Sequence, residues 1–296
     1  MKQDMFIKMN LKIGKKISWM MATRGCPFIC NFCASKVVWG ITYRKRSPKD
    51  IVDEMRELYL LYNVNHINFA DDTLTIDKKW THDLCQEIID SGMKISWSCN
   101  SQTSTVTREM LFKMKEAGCE QIWFGVESGN PKIRRDMEKY ITNESIINAF
   151  NWSKEAGIKT RAHMIVGGPN ETYETIKDSE ELLDIIKPDI VGWSINTILP
   201  GLEVYNKAVK EGVIKEDEID WAGVGFRNPH DAILPSKYLT NEEIVSEWRR
   251  LSEKYKEYKL DDTSYKYIIE YLFFRLFTTN LFEYPRIIKK LLNNYI

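Results

Sequence analysis

Three cysteines, Cys26, Cys30 and Cys33, fall within eight residues, in the run Arg24-Gly-Cys-Pro-Phe-Ile-Cys-Asn-Phe-Cys-Ala34. The other three, Cys85, Cys99 and Cys119, are dispersed. Six cysteines in 296 residues make no disulfide scaffold, and in a reducing compartment clustered thiols act as metal ligands or redox groups. A structural zinc ion takes four protein ligands, whereas this run supplies three and the nearest histidine is His66. Three thiolates suit an iron–sulfur cluster with one iron left open to a substrate or cofactor. A zinc site completed by a remote residue is the other reading of the spacing.

Such a loop needs a scaffold, and hydrophobic periodicity predicts one. Strands are expected at Lys16–Met21, His66–Ala70, Ile95–Cys99, Gln121–Val126, Lys159–Val166 and Pro188–Ile195. Ser47 caps a helix with Pro48 at its first position, and Ile51, Met55, Leu58 and Tyr62 recur at helical spacing. Asp77 caps another that stops at Ser91-Gly92. Further helices are expected at Thr107–Ala117, Pro131–Met137, Asn143–Ala156, Tyr173–Ile186 and Glu203–Lys210. Strand and helix in repeated alternation mean parallel strands joined by right-handed crossovers. The expected fold class is α/β, a partial (β/α)6 TIM-like barrel with a C-terminal helical extension; a doubly wound sheet is the alternative. In both, ligands gather at the carboxyl ends of the strands.

The loops at that rim carry polar residues or glycine at equivalent places. After the cysteine loop come Asp71-Asp72-Thr73, Asn100-Ser101-Gln102, Glu127-Ser128-Gly129, Gly167-Gly168-Pro169 and Leu199-Pro200-Gly201. In any single loop these are turn punctuation; their recurrence unit after unit argues for a shared site. The domain reading is a lead over 1–15, a core over 16–211, and a connector with helical cap over 212–296. The last includes a loop at Trp221–Phe226 and helices at Asn241–Lys256, Tyr265–Thr278 and Tyr284–Asn294.

Apolar residues make up 43% and charged residues 28%, an ordinary globular mixture. Forty-two basic and 42 acidic side chains cancel, which argues against a generic nucleic-acid binder. The basic run Arg286–Lys290 reads as a solvated helix face. No stretch approaches the ~18 apolar residues of a membrane span, and the N-terminus has no signal-peptide pattern. A soluble, cytoplasmic protein is expected.

With these motifs the chain resembles the radical S-adenosylmethionine (SAM) superfamily over about residues 16–205. Cys26-x-x-x-Cys30-x-x-Cys33, with Phe32 before the last cysteine, looks like the signature loop. Phe124-Gly-Val-Glu-Ser-Gly129 looks like the fourth-strand motif, and Met164-Ile-Val-Gly-Gly-Pro-Asn-Glu-Thr172 like the fifth-strand segment. The branch of cobalamin-dependent enzymes and methylthiotransferases is the most similar. Only 25 residues precede Cys26, too few for the cobalamin-binding domain of that branch. No second cysteine triplet lies upstream either. The expectation is therefore chemistry that needs neither, a separate cobalamin-bearing subunit being the alternative.

The resemblance implies that Cys26, Cys30 and Cys33 hold a [4Fe–4S] cluster whose fourth iron takes SAM. Reductive cleavage then yields a 5′-deoxyadenosyl radical that abstracts hydrogen from a small-molecule or peptide substrate. A low-potential electron donor of flavodoxin or ferredoxin type is implied. Ala70, Asp71, Asp72 and Thr73 would receive the SAM ammonium. Glu127, beside Ser128, would bond ribose or the amino group. Gly167 and Gly168 would let backbone approach adenosine, and Phe32 would meet adenine. Arg161 and Lys139 are the candidate cations for the SAM carboxylate. Strand alternation puts Arg161 and His163 on one face, either the barrel interior or the outer face beneath the helices. A tRNA-modifying radical SAM enzyme and a non-catalytic cluster or zinc protein are the competing functions.

Overall fold

The computed structural model describes residues 16–197, 199–212, 214–219 and 236–255. All lie within the first of two compact units of the chain, residues 1–257. The loop at 221–226, the helices at 265–278 and 284–294 and the basic run at 286–290 lie outside the described residues.

Eight strands are present among the described residues: β1 (Ile17–Met20), β2 (Thr23–Arg24), β3 (Arg44–Lys45), β4 (His66–Phe69), β5 (Ser96–Ser101), β6 (Cys119–Glu127), β7 (Lys159–Val166) and β8 (Ile190–Ile195). Six form one all-parallel sheet in the order β1-β4-β5-β6-β7-β8. Spatial order follows chain order without reversal. A doubly wound sheet reverses its strand order, so the sheet is that of a partial barrel. β2 and β3 pair separately as an antiparallel ribbon.

The helices are α1 (Ser35–Trp39), α2 (Pro48–Tyr62), α3 (Lys78–Asp90), α4 (Arg108–Glu116), α5 (Pro131–Asp136), α6 (Asn143–Glu155), α7 (Tyr173–Ile186), α8 (Glu203–Lys210) and α9 (Asn241–Lys254). Their starts follow the capping chemistry of the sequence. Ser47 accepts the Asp50 amide at 3.1 Å, and Asp77 accepts the Trp80 amide at 3.0 Å. Thr172 and Thr175 form a reciprocal box at the head of α7. No helix among the described residues is long and apolar enough to cross a membrane.

One face of the sheet packs on the helices. Phe69, Trp97, Ile122, Phe124, Ala162, Met164 and Val166 are all buried in that layer. Phe69 and Trp97 meet edge to face at 5.6 Å. Burial of rings such as these stabilises the fold by roughly 2–3 kcal/mol each. The alternate residues form the barrel interior, and they are mostly polar. Ladder register sets them in levels: Asn68, Ser98 and Gln121; then Asn100, Trp123, Arg161 and Ile190; then Gly125, His163 and Gly192. Arg161 and His163 are half-buried while Ala162 and Met164 are fully covered, which settles that both face the interior.

Candidate active site

Residues 25–43, the cysteine loop, leave the barrel through the β2–β3 ribbon, where Thr23 pairs with Lys45 and Arg24 with Arg44. Sequence reading missed the ribbon and α1, because two-residue strands and a five-residue helix carry no periodicity. Gly25 has φ +85°, and a Cβ there would collide with the Thr42 carbonyl. Asp71 braces the base of the loop. Its carboxylate accepts from the Ala22 amide at 3.3 Å and from the amide and hydroxyl of Thr23. Burial pushes its pKa up to about 6 against those bonds. The structure thus places Asp71 beneath the rim as a support.

Asp72 and Thr73 lie beside the cysteines. Ser35 donates to Asp72 at 2.9 Å, and the Thr73 hydroxyl is 3.8 Å from the Cys26 sulfur. Ala70 is exposed at the end of β4. Half-buried Phe32 sits in the turn closed by the Cys33 amide on the Cys30 carbonyl, 3.2 Å. The far side of the loop is pinned by Asn31, whose amide donates to Met137 O at 3.1 Å and whose side chain donates to Asp136 O at 2.8 Å.

Glu127 ends β6 with φ +67°, a left-handed conformation costly for a residue with a Cβ. The register between β6 and β7 slips at this point. Together these features turn the Glu127 carboxylate back over the interior side of Gly125, where Lys139 Nζ donates to it at 3.1 Å. Both side chains are 9% exposed. Burial opposes the charge on Lys139, but Glu127 and the nearby Cys30 outweigh it and its pKa is raised. A Cβ on Gly125 would lie 2.9 Å from Nζ, so glycine leaves the space this pair fills.

The Lys139 amide donates to the carbonyl of Arg134 at 2.8 Å, and the Arg134 side chain is fully buried without a carboxylate partner among the described residues. Its guanidinium donates to Ile141 O at 3.2 Å, to Ser128 O and to the Asn143 side chain. One side chain thereby ties both ends of the segment 128–143. No sequence signal separated Arg134 from the other arginines of α5. Ser128 is fully buried and accepts the Asn130 amide at 3.2 Å, and the Ser179 hydroxyl of α7 lies 3.3 Å away. It shapes the turn after β6.

Gly167 and Gly168 both donate their amides to one oxygen of Glu171, the second at 3.1 Å. Burial pushes the Glu171 carboxyl up to about 7. The Cβ that Gly168 lacks would lie 2.9 Å from Ile133, so its close approach is to α5. Arg161 lies five residues before Val166, the end of β7, and one ladder level below Gly125, over which the Lys139–Glu127 pair sits. Cys85, Cys99 and Cys119 are buried in the helix layer, away from the cysteine loop.

Burial pushes Cys30 up to about 11 and raises Cys33 as well; Lys139 opposes both shifts, and an amide bond from Ser35 also opposes that of Cys33. The donor set and the adjacent buried cation, which favours anionic sulfur, fit the cluster.

Residues 20–183 match the Radical SAM superfamily, more than half of the chain. The chain belongs to the radical SAM superfamily. It is therefore an enzyme of a family whose cofactors are a [4Fe–4S] cluster and SAM. An uncharacterized methyltransferase of Pyrococcus horikoshii is 30% identical over 231 residues, 78% of this chain and 49% of that one. The anaerobic magnesium-protoporphyrin IX monomethyl ester cyclase of Cereibacter sphaeroides is 31% identical over 238 residues, 79% and 37%. Among solved structures, the radical SAM methyltransferase TsrM of Kitasatospora setae, with cobalamin and a [4Fe–4S] cluster bound, superposes with TM-score 0.58 at 20% identity. It covers 63% of this chain and 35% of that one. This radical SAM chain thus spans about half or less of the length of these relatives. A radical SAM enzyme needs a substrate and a reductant.

Proposed function

We propose that the chain carries out hydrogen abstraction from a small-molecule or peptide substrate. When bound, the cluster and SAM supply homolytic cleavage to a 5′-deoxyadenosyl radical. Cys26, Cys30 and Cys33 hold the cluster, on a loop whose base is fixed by the ribbon and Asp71. Lys139 is the cation for the SAM carboxylate, and Glu127 the acceptor for its ammonium or ribose hydroxyls. Asp72, Thr73 and the exposed end of β4 line the other side. The observation that carries this reading is the buried Lys139–Glu127 pair within electrostatic reach of Cys30. It replaces Arg161 as carboxylate partner.

Relatives named as acting on a protoporphyrin ester and on hopanoids favour a small molecule over tRNA. Their reactions, ring closure and methyl transfer, are the two classes proposed here. The proposed electron donor is of flavodoxin or ferredoxin type. The proposed catalytic unit is 16–211, with 212–296 as connector and cap. Anaerobic reconstitution tests the reading. About four iron and four sulfide per chain are expected, with 5′-deoxyadenosine formed from SAM under strong reductant. Cys30→Ala that retained normal cleavage would overturn the ligand assignment.

A further inference from the structure

Ile29 directly precedes Cys30, and α1 begins two residues after Cys33. The Ser35 amide donates to the Cys33 sulfur at 3.5 Å, and the Val37 and Val38 amides each donate to the Ala34 carbonyl at 3.0 Å. The helix thus continues the ligand segment without a break. None of its five residues is buried. Val38 is 65% exposed and Ile41, just past the helix end, 60%; Ile29 and Val37 are exposed as well. A single aliphatic side chain in water is ordinary, whereas a group of them on one short loop marks a contact surface.

The same loop is one-sided in charge. The chain as a whole is neutral, yet no acidic residue stands between Asp4 and Asp50, and residues 24–46 carry five basic side chains. Two of the five are neutralised, Lys45 by Asp77, and Arg46 by Asp50 at 2.7 Å and Glu54 at 2.5 Å. Arg24, Lys36 and Arg44 have no carboxylate partner among the described residues. Asp72 meets the loop through the Ser35 hydroxyl at 2.9 Å. Arg24 and Arg44 are both exposed and are partners across the β2–β3 ribbon. Like charges directly opposite on paired strands are destabilising. The Arg24 guanidinium carbon lies 5.9 Å from the Trp39 ring centre, which brings this pair to the end of α1, beside the apolar group. An anionic partner that also covers the aliphatic side chains relieves both the repulsion and the exposure.

Position decides what that partner does. A radical SAM enzyme needs a reductant, and an electron crosses between proteins only where the two redox centres come close. Ile29 adjoins Cys30, and Val37 follows Cys33 by four residues. Transient redox encounters use small interfaces steered by opposite charge. We propose that the exposed face of residues 24–44 is the docking surface for an acidic, ferredoxin-type electron-carrier protein. Ile29, Val37, Val38 and Ile41 supply its apolar contacts, and Arg24, Lys36 and Arg44 meet the carrier's carboxylates. The assignment rests on the radical SAM reading and gives its reductant a place on the chain. One electron leaves the iron–sulfur centre of the carrier, which is oxidised, and enters the cluster held by Cys26, Cys30 and Cys33, which is reduced. No bond forms or breaks and no group is transferred.

The test is anaerobic titration calorimetry of the full, cluster-reconstituted chain with an oxidised, acidic plant-type [2Fe–2S] ferredoxin. Binding is expected in about 50 mM salt and should be at least about tenfold weaker in about 300 mM. Arg44→Glu reverses one charge and gives Arg24 an opposite partner across the ribbon. It is expected to weaken binding about tenfold, as loss of one charge-assisted pair implies, and to leave iron per chain unchanged. Val38→Ser is expected to weaken binding about fivefold through lost apolar contact. It keeps the test open should Arg44→Glu disturb the loop. Stopped-flow reduction of the cluster by reduced ferredoxin should slow in both variants. Reduction by the methyl viologen radical, a small cation that gains nothing from an arginine, should slow in neither. No ferredoxin binding in the wild type overturns the proposal, as does binding left unchanged by both substitutions. So does a wild-type chain that self-associates through this face, its dimer lost in Val38→Ser when read by sedimentation velocity. Iron content and 5′-deoxyadenosine formed with methyl viologen separate the two levels. Cluster and cleavage without ferredoxin binding sink only the docking surface. A chain that assembles no cluster sinks the radical SAM reading, whether or not ferredoxin binds.

Discussion

Removing one member of the Lys139–Glu127 pair should be among the most damaging single changes in the barrel. At 3.1 Å and an effective dielectric of about 20, the attraction is about 5 kcal/mol before desolvation is deducted. Desolvation offsets much of it in the intact pair. In a single variant the remaining charge stays buried with nothing opposite, which typically costs about 3–5 kcal/mol. Lys139→Met is expected to lose that much stability, and Glu127→Gln somewhat less because the amide still accepts from Nζ. Lys139→Met with Glu127→Gln removes both charges and should be more stable than the sum of the single losses allows, by at least about 1 kcal/mol. The assay is urea unfolding of anaerobically purified protein at pH 7.5, followed by far-UV circular dichroism across the four-member cycle. Strictly additive losses, or a Lys139→Met protein within about 1 kcal/mol of wild type, would show that the pair is not a coupled buried unit. SAM affinity measured on the same four proteins should fall in both single variants. Lys139 also lowers the Cys30 pKa, so Lys139→Met should shift cluster assembly to higher pH.

Three other outcomes are expected. Burial raises Glu171 to about 7, above its ordinary ~4.3. Between those values the native state binds more protons than the unfolded chain, so stability conferred by the protonated acid declines as pH rises through that window. Urea midpoints at pH 5 and 7.5 should converge in Glu171→Gln relative to wild type; an unchanged difference would count against the assignment, although Asp71, raised to about 6, contributes in the same direction. Arg134→Met leaves two carbonyls and the Asn143 side chain without a donor and should cost about 3 kcal/mol, with weakened SAM binding read by calorimetry. Gly25→Ala forces a Cβ into the Thr42 carbonyl at φ +85°, so iron bound per chain should drop while the helical circular dichroism signal persists.

Much of the scaffold was legible in the sequence because each barrel unit is locally consistent. Ser47-Pro48, Asp77 and Thr172 announce helix starts, and the period-two pattern of residues 159–166 marks β7 over its full length. The choice between barrel and doubly wound sheet was not, since it depends on strand order. For the proposed site, Cys26, Cys30 and Cys33 stood out by type and spacing and Glu127 by its place after a strand, whereas Lys139 entered only beside Arg161 as a cation the resemblance implied. What pattern cannot convey is where a side chain turns. Asp71 and Asp72 are adjacent in sequence, yet one is locked under the rim and the other faces the cysteine loop. Arg161 looked equivalent to Lys139 as a cation near the rim, yet it stands one ladder level below Gly125, over which Lys139 meets Glu127. Arg134 is invisible for the opposite reason. Its partners are carbonyls, which every residue carries.

The ribbon that closes residues 25–43 has an entropic consequence. Drawing together the ends of a free loop of that length costs about 3 kcal/mol. Here the polypeptide meets that cost itself, through Thr23–Lys45 pairing, the carboxylate below and the tether at Asn31. On the proposed ligand assignment, cluster assembly would then fill a nest already shaped, unlike small metal-dependent folds that collapse only around their ion. Oxygen damage to the cluster should accordingly leave an intact shell that accepts fresh iron and sulfide.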